Sequence, residues 1–460
     1  MRCQRQRHHE KAEKNGMDLQ RREALDELVM SMRAGRLKRR TFLERAFRLG
    51  LTATAAGSLL EACGTMQCST QNGSTRPNII IWQSEYDPQG VFGKWVKDFN
   101  DGPSEGGHVT YASGSPSSDK QYKWLSQNLS TCPSTASAAP VDVISMDIIW
   151  LTEFASKGLI IPLTAIQKEI QQRASAYVWV ADECQYKGQW YGAPERADVG
   201  VFYYHKNLTP KPPDNWPALL TQASQVRGKN LDGFVWQGAQ EEGLVCDFVE
   251  VLASYGGSIL DQRNPQKVTL DNAQAIAALT TMMNWHAISP KDISTYDEEA
   301  AMVRWKNGLA VFMRNWYNAI SQVKDDPSAR FTPIPRGDMS TSSSCTGGWL
   351  LGVNAATQNP DLAQRLITYL LQQLAMNSDE TNDVLSVLPN VAGDGDIGMI
   401  ARNVVSRPRI PKYVSLSLLM QQSLFNALKS ASQAAPSRYE TIAKTALKGL
   451  QADLTHLLQT

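Results

Sequence analysis

Apolar and polar positions along this chain fall into short blocks that switch between two periods. Ile79, Ile80, Ile81 and Trp82 form an unbroken apolar run suited to a buried strand, after which Phe92, Trp95, Val96 and Phe99 recur at helical spacing. The alternation continues. Strands are predicted over 141–145, 199–204, 233–236, 309–313 and 349–353. Helices are predicted over 122–129, 150–157, 247–255 and 361–374, two of them stopped by Gly158 and by Gly256-Gly257. A further helix runs to Trp285 with Asp271 or Asn272 as its cap, and the tail over 413–458 is mostly helical. Strand alternating with helix predicts an α/β fold, and the absence of a repeat of about 20–50 residues excludes solenoids and propellers.

The start of the chain follows other rules. Arg39-Arg40-Thr41-Phe42-Leu43 is a twin-arginine sequence, and the uncharged run over 49–60 is 12 residues long. That run falls short of the about 20 residues that span a membrane but suits an export signal. Leu60-Glu61-Ala62-Cys63-Gly64 resembles a lipoprotein processing site, with Cys63 as the lipidated residue and Glu61 unusual in such a box. We therefore read 1–62 as a twin-arginine lipoprotein leader and 63–76, rich in Thr, Ser, Gln and Gly, as a flexible tether. Met17, Met30 and Met32 are alternative starts. The expected location is outside the cytoplasm, lipid-anchored at the outer face of the cytoplasmic membrane or in the periplasm.

Composition narrows the function. The 460 residues, 42% apolar and 20% charged, suit two globular domains. Residues 1–62 hold 14 Lys/Arg against 8 Asp/Glu, which leaves 32 against 37 for the remainder. The basic excess belongs to the leader, so no nucleic-acid partner is expected. Cys68, Cys132, Cys184, Cys246 and Cys345 follow the leader, and an oxidising compartment suits one or two disulfides among them in a pairing the sequence leaves open. No CxxC spacing occurs, and neither metal nor cofactor is expected. There is likewise no GxSxG, HExxH or GxxxxGK[ST].

Ordered segments carry a family resemblance. They are Asp142-Val143-Ile144-Ser145-Met146-Asp147-Ile148-Ile149-Trp150, Trp190-Tyr191-Gly192-Ala193-Pro194, Asp198-Val199-Gly200-Val201-Phe202-Tyr203-Tyr204, Glu242-Gly243-Leu244, Asn307-Gly308-Leu309-Ala310-Val311-Phe312-Met313-Arg314-Asn315-Trp316 and Gly347-Gly348-Trp349-Leu350-Leu351-Gly352-Val353. The set resembles family 1 of the extracellular solute-binding proteins, which includes the maltose- and trehalose-binding proteins, and spans roughly residues 77–375. The resemblance implies a two-lobed periplasmic-binding-protein fold of type II, maltose-binding-protein-like, with a hinge and an interlobe ligand cleft. It places 77–198 plus 337–376 in an N-terminal lobe and 199–336 plus 377–460 in a C-terminal lobe. Crossings are expected near 199–203, 333–340 and 375–380. The implied function is capture of a carbohydrate, a disaccharide such as trehalose or maltose or a related sugar. The protein would be a monomer without enzymatic activity, passing its ligand to ABC permease subunits with a cytoplasmic ATPase.

A sugar needs aromatic faces under its C–H patches and converging polar groups for its hydroxyls. The chain holds 12 Trp against 6 His, which favours stacking over imidazole chemistry. Trp349, behind Gly347-Gly348, and Trp316, behind Arg314-Asn315, match family aromatics that meet the ligand. Asp147 and Asp198 match carboxylates that accept sugar hydroxyls, with a helix cap and a hinge turn as their structural alternatives. Gly348, Tyr317, Lys120 and Glu85 complete the candidate set, and Arg314 either binds ligand or braces the carboxylates. The family's aromatics are replaced by Glu195-Arg196 and by Glu241 here. A non-sugar solute and a secreted glycoside hydrolase using Asp147 and Asp198 stay open as alternatives.

Overall fold

A computed structural model describes residues 79–460 except 85–86, 88–89, 103–106, 116, 130–140, 229, 340–341 and 378–395, together with residues 41, 45, 46 and 49. Arg39, Arg40, Cys63, the tether over 63–76, Cys68, Glu85 and Cys132 lie outside the described residues.

The first lobe opens with strand β1 (Ile79–Gln83), helix α1 (Val91–Asp101), strand β2 (His108–Ala112), helix α2 (Ser118–Asn128) and strand β3 (Val143–Asp147). β1 pairs in parallel with both β2 and β3, an arrangement that requires the crossover connections α1 and α2 supply. Short helices α3 (Leu151–Ser156), α4 (Gln167–Ala174) and α5 (Val178–Glu183) follow, with a ribbon of β4 (Gln185–Tyr186) and β5 (Gln189–Trp190). Strand β6 (Ala193–His205) then leads to α6 (Trp216–Val226), β7 (Asp232–Val235), α7 (Glu242–Ser254), α8 (Ala273–Trp285) and α9 (Glu298–Lys306). After β8 (Ala310–Trp316) and β9 (Ala329–Thr332) come β10 (Ser344–Val353), α10 (Pro360–Met376), α11 (Asp396–Ile400) and β11 (Val404–Val405). Two long helices, α12 (Tyr413–Ala431) and α13 (Tyr439–Gln459), close the chain.

Among the described residues, one hydrogen-bonded path runs β2-β1-β3-β10-β6-β8-β7, with β11 beside β10 and β9 beside β6. β6 joins the two lobes. Its first part, Ala193 to Val199, pairs with β10, and its second part, Gly200 to His205, pairs with β8 and β9. Covered on both faces, β6 reads as a nearly unbroken buried run rather than an alternating one. On the return, Arg336 bridges to Asn215 and the Met339 N–H donates to the Ser254 carbonyl at 3.0 Å. The chain therefore still lies on the second lobe at residue 339 and re-enters the first sheet through β10.

Two apolar clusters fill the fold, a smaller one against α10 and a larger one that reaches from Leu125, Met146 and Trp150 across to α12 and α13. In the first, Trp82, Phe92, Trp95 and Val109 meet Leu362, Leu366 and Leu370, one stripe of α10 at i, i+4, i+8. In the second, Phe202, Phe234, Phe312 and Trp285 pack together, while α12 and α13 lie against α7 and α8. Asn272, rather than Asp271, caps α8, its Oδ1 accepting the Ala275 N–H at 2.8 Å. Helix α7 begins at Glu242, earlier than its pattern suggested, because it is buried almost all round and its start shows no polar face.

Candidate functional site

Cross-strand pairing builds the site. Asp147, at the end of β3, pairs with Trp349 on β10, and Trp349 pairs with Arg196 on β6. Residues directly opposite share a sheet face, so a carboxylate, an indole and a guanidinium stand in one row. One step along, Gly347 opposes Asp198, and Gly200 opposes Trp316 at the end of β8. The Trp316 ring lies over Gly347, where a Cβ would sit 2.6 Å from the indole. Gly348 takes φ +135°, and a Cβ there would sit 2.2 Å from the Arg196 carbonyl oxygen. Two glycines thus let an aromatic and a neighbouring strand close down on β10.

Each tryptophan is held from behind. Trp349 meets Trp150 edge-on, with ring centroids 5.6 Å apart. The Trp316 indole rests on the Arg314 guanidinium at 4.4 Å, and its N–H donates to Glu298 Oε1 at 3.2 Å. Arg314 itself is 3% exposed. It donates to Glu250 through Nε at 2.9 Å and Nη2 at 2.7 Å and to Gln237 Oε1 at 3.2 Å, with Asp247 Oδ1 3.1 Å from Nε. Of the two roles left open for Arg314, this geometry is that of a brace. Burial pushes the Asp247 carboxyl well up, Arg314 pulls against that rise, and Glu250 adds to it.

Asp147 both caps and receives. Its Oδ1 accepts the Ile149 N–H at 3.2 Å, and its Oδ2 accepts the Ser118 hydroxyl at 3.3 Å. Arg407 arrives from the far end of the chain, with Nη2 3.5 Å from Asp147 Oδ1 and 3.2 Å from the Thr346 carbonyl. Its Nη1 donates to Glu242 Oε1 at 2.9 Å. Glu242, at the start of α7, also accepts the Tyr413 hydroxyl at 2.6 Å and the Ser417 hydroxyl. One guanidinium therefore ties β3, α7 and β10 together. Burial raises Asp147 from the usual carboxylate range, Arg407 lowers it and Glu242 raises it.

The remaining candidates differ in exposure. Asp198 is buried, its Oδ1 accepting the Val199 N–H at 2.9 Å and the Asn318 N–H at 3.3 Å. Those bonds pin the turn that starts at Tyr317, whose half-buried ring meets Phe331 edge-on at 5.5 Å. Lys120 is exposed in the first turn of α2, beside Asp119. Across from it stand Glu241 and Glu298. Burial and the charges of Glu242, Asp147 and Glu298 push Asp119 up to about 6. Burial and the charges of Glu298, Asp297 and Asp119 push Glu241 to about 7, with Lys120 pulling it down. These influences place residues of α2 and β3 opposite the starts of α7 and α9. Each tryptophan thus has a carboxylate beside it, Glu298 at Trp316 and Asp147 opposite Trp349, and carboxylates accept hydroxyl donors well.

Sequence reasoning did not single out Asp119, Glu298, Glu242 or Arg407. Asp119 and Glu298 carry the signal of acidic residues in a first helical turn, which is common on solvated helices. Arg407 has no periodic signal at all.

The model of the bacterial extracellular solute-binding protein family matches residues 132–373. A probable ABC transporter-binding protein of Deinococcus radiodurans is 28% identical over 357 residues, covering 70% of this chain and 81% of that protein. A maltotriose-binding protein of Pyrococcus abyssi is 24% identical over 285 residues, 57% of this chain and 60% of that protein. Maltose-bound T. maritima MalE3 superimposes with a TM-score of 0.71 at 27% identity, covering 82% of this chain and 99% of that one. With its crossing strands, its two lobes and a family match over more than half its length, the chain belongs to the bacterial extracellular solute-binding proteins.

Proposed function

We propose that this protein is the capture subunit of a bacterial ABC importer and that it holds a carbohydrate between its lobes. The observation that carries the reading is the placement of two tryptophans on one stretch of β10, Trp316 seated over Gly347 and Trp349 two residues on, with Asp147 opposite Trp349 and Glu298 on the Trp316 indole. Trp349 and Trp316 stack on sugar faces, while Asp147 and Asp119 accept hydroxyls. Asp198 and Tyr317 shape the hinge side, and Gly348 admits the ligand close to the backbone. Lys120 and Arg196 reach from the rim, and Arg314 works beneath Trp316 as its support. The names of relatives that bind maltose and maltotriose support a disaccharide or short oligosaccharide. Ligand bridging favours a closed form by its extra affinity for it, and that form docks on permease subunits driven by a cytoplasmic ATPase. The protein acts as a monomer and returns its ligand unchanged.

A thermal-shift screen over mono-, di- and trisaccharides tests this. Ligand at a hundredfold excess over Kd stabilises the folded state by about 2.7 kcal/mol, which raises Tm by several degrees. The cognate sugar is expected to give such a rise, and Trp349→Ala is expected to abolish it. No rise with any carbohydrate, or release of cleaved sugar from the incubation, would sink the reading.

The leader motif and Cys63 support anchoring by lipid at the outer face of the membrane. Mass spectrometry of protein recovered from the membrane fraction checks it: the first residue is expected to be an acylated Cys63. An unmodified mature start elsewhere overturns the anchor while leaving the cleft untouched.

A further inference from the structure

Helix α7 presents one stripe of residues at successive turns, Glu242, Cys246 and Glu250. The two outer members both reach β10. Glu250 Oε1 accepts the Cys345 N–H at 3.0 Å. Glu242 is joined through Arg407 to the carbonyl of Thr346, at 2.9 and 3.2 Å. Cys246 lies one turn from Glu250, whose carboxylate holds the Cys345 N–H, so the helix turns set Cys246 against Cys345, near enough for the two thiols to influence each other. Both are deeply buried, at 1% and 0% exposure, and both are free in this structure. The third described thiol, Cys184, follows α5 beside Glu183 and Arg173.

We infer that Cys246 and Cys345 are a disulfide site, closed by a small-molecule or protein disulfide oxidant when the chain meets an oxidising compartment. The exchange balances as follows. Cys246 loses its proton, and its thiolate attacks one sulfur of the oxidant, such as oxidised glutathione, breaking that S–S bond and releasing one thiolate. The Cys345 thiolate then attacks the Cys246 sulfur of the mixed disulfide, forms the protein bond and expels the second thiolate. Two electrons pass to the oxidant, and the two thiol protons end on the two thiols released. Burial pushes the Cys246 thiol well up, so little thiolate exists while α7 is docked. Closure therefore belongs to folding or to local opening of α7.

The bond would fix α7 to β10 between the two contacts that hold the cleft residues. On one side Glu250 and Arg314 carry Trp316, and on the other Glu242 and Arg407 carry Asp147. It also closes a long loop, the case in which a cross-link restricts the denatured chain most. None of this depends on which solute the cleft holds.

The test uses the full chain, incubated with oxidised glutathione in urea below its unfolding midpoint and, in parallel, with dithiothreitol. Free thiols are then blocked with N-ethylmaleimide under denaturing conditions, and the digest is mapped by mass spectrometry. The oxidised sample is expected to yield one cross-linked pair of peptides, joining Cys246 to Cys345, with Cys184 alkylated. Its Tm is expected about 5 °C above that of the reduced sample. Cys345→Ala should lose both the cross-link and the redox dependence of Tm. Recovery of Cys246 and Cys345 as alkylated thiols after oxidation, or a cross-link from either to another cysteine, overturns the assignment.

Discussion

Replacing Arg314 by Met is expected to cost about 3–5 kcal/mol of folding stability, because it strands two buried carboxylates. Arg314, Glu250 and Asp247 have side chains only 3%, 2% and 1% exposed. The guanidinium supplies two of the three bonds to Glu250, the third coming from the Cys345 N–H, and the nearest countercharge to Asp247. Met keeps the unbranched apolar stem but lacks the guanidinium, so the loss combines the stranded charges with a small cavity. Asp247, already pushed up by burial, would rise further without Arg314 and take up a proton on folding. Urea unfolding at neutral pH measures the effect, with an unchanged slope and a lowered midpoint. Removing all three charges together, as Arg314→Met with Glu250→Met and Asp247→Leu, should recover most of the loss, since a well-packed apolar set often equals a buried ion cluster. A single-variant cost below about 1 kcal/mol would show that the cluster is not the support of Trp316 that its geometry suggests.

This cluster also shows where sequence reading reaches and where it stops. The strand that ends in Trp316 was legible because Leu309 to Met313 is an unbroken apolar run, and β8 indeed occupies Ala310–Trp316. The pairing of β6 with β10 was not, because β6 is buried on both faces and carries no alternation from which a partner or register could be read. Trp349, Trp316 and Asp147 were found through ordered motifs and lie together in the structure. Whether Arg314 touched ligand or braced its neighbours was undecidable from sequence, since its partners Glu250 and Asp247 sit on a different element. The start of α7 was missed for a related reason. Glu242 is polar yet buried, satisfied by Arg407, Tyr413 and Ser417, so a polar residue in the sequence marks the inside of the fold. The push of Glu242 on Asp119, and of Asp119 on Glu241, likewise arises only when α2 faces the start of α7.

Arg407 is the residue with the least sequence signal and the widest reach, lying 260 positions from Asp147 along the chain. It follows a two-residue strand in a segment without periodicity, and yet it joins three elements at the base of the cleft. Arg407→Met is expected to lower stability by about 3 kcal/mol at neutral pH, the lower end of the range for an unpaired buried charge. The lower end applies because Asp147 keeps Ser118 and the Ile149 N–H, while Glu242 keeps Tyr413 and Ser417. The deficit should depend on pH in a defined direction. Asp147 already has a raised pKa from burial, and losing Arg407 removes the main influence that lowers it. A carboxyl raised in the folded state takes up a proton on folding, so the stability tied to it is present at low pH and lost as pH rises through the folded value. The gap between variant and parent is therefore expected to widen from mildly acidic to alkaline solution, measured as urea midpoints along a pH series. Arg407→Lys should recover little, because an ammonium cannot serve Glu242, Asp147 and the Thr346 carbonyl from one planar fork. If Asp147 takes part in binding as proposed, ligand affinity should fall with stability in both variants, since Asp147 loses its Arg407 partner. A gap that stayed flat with pH would mean that Asp147 does not depend on Arg407 for its charge.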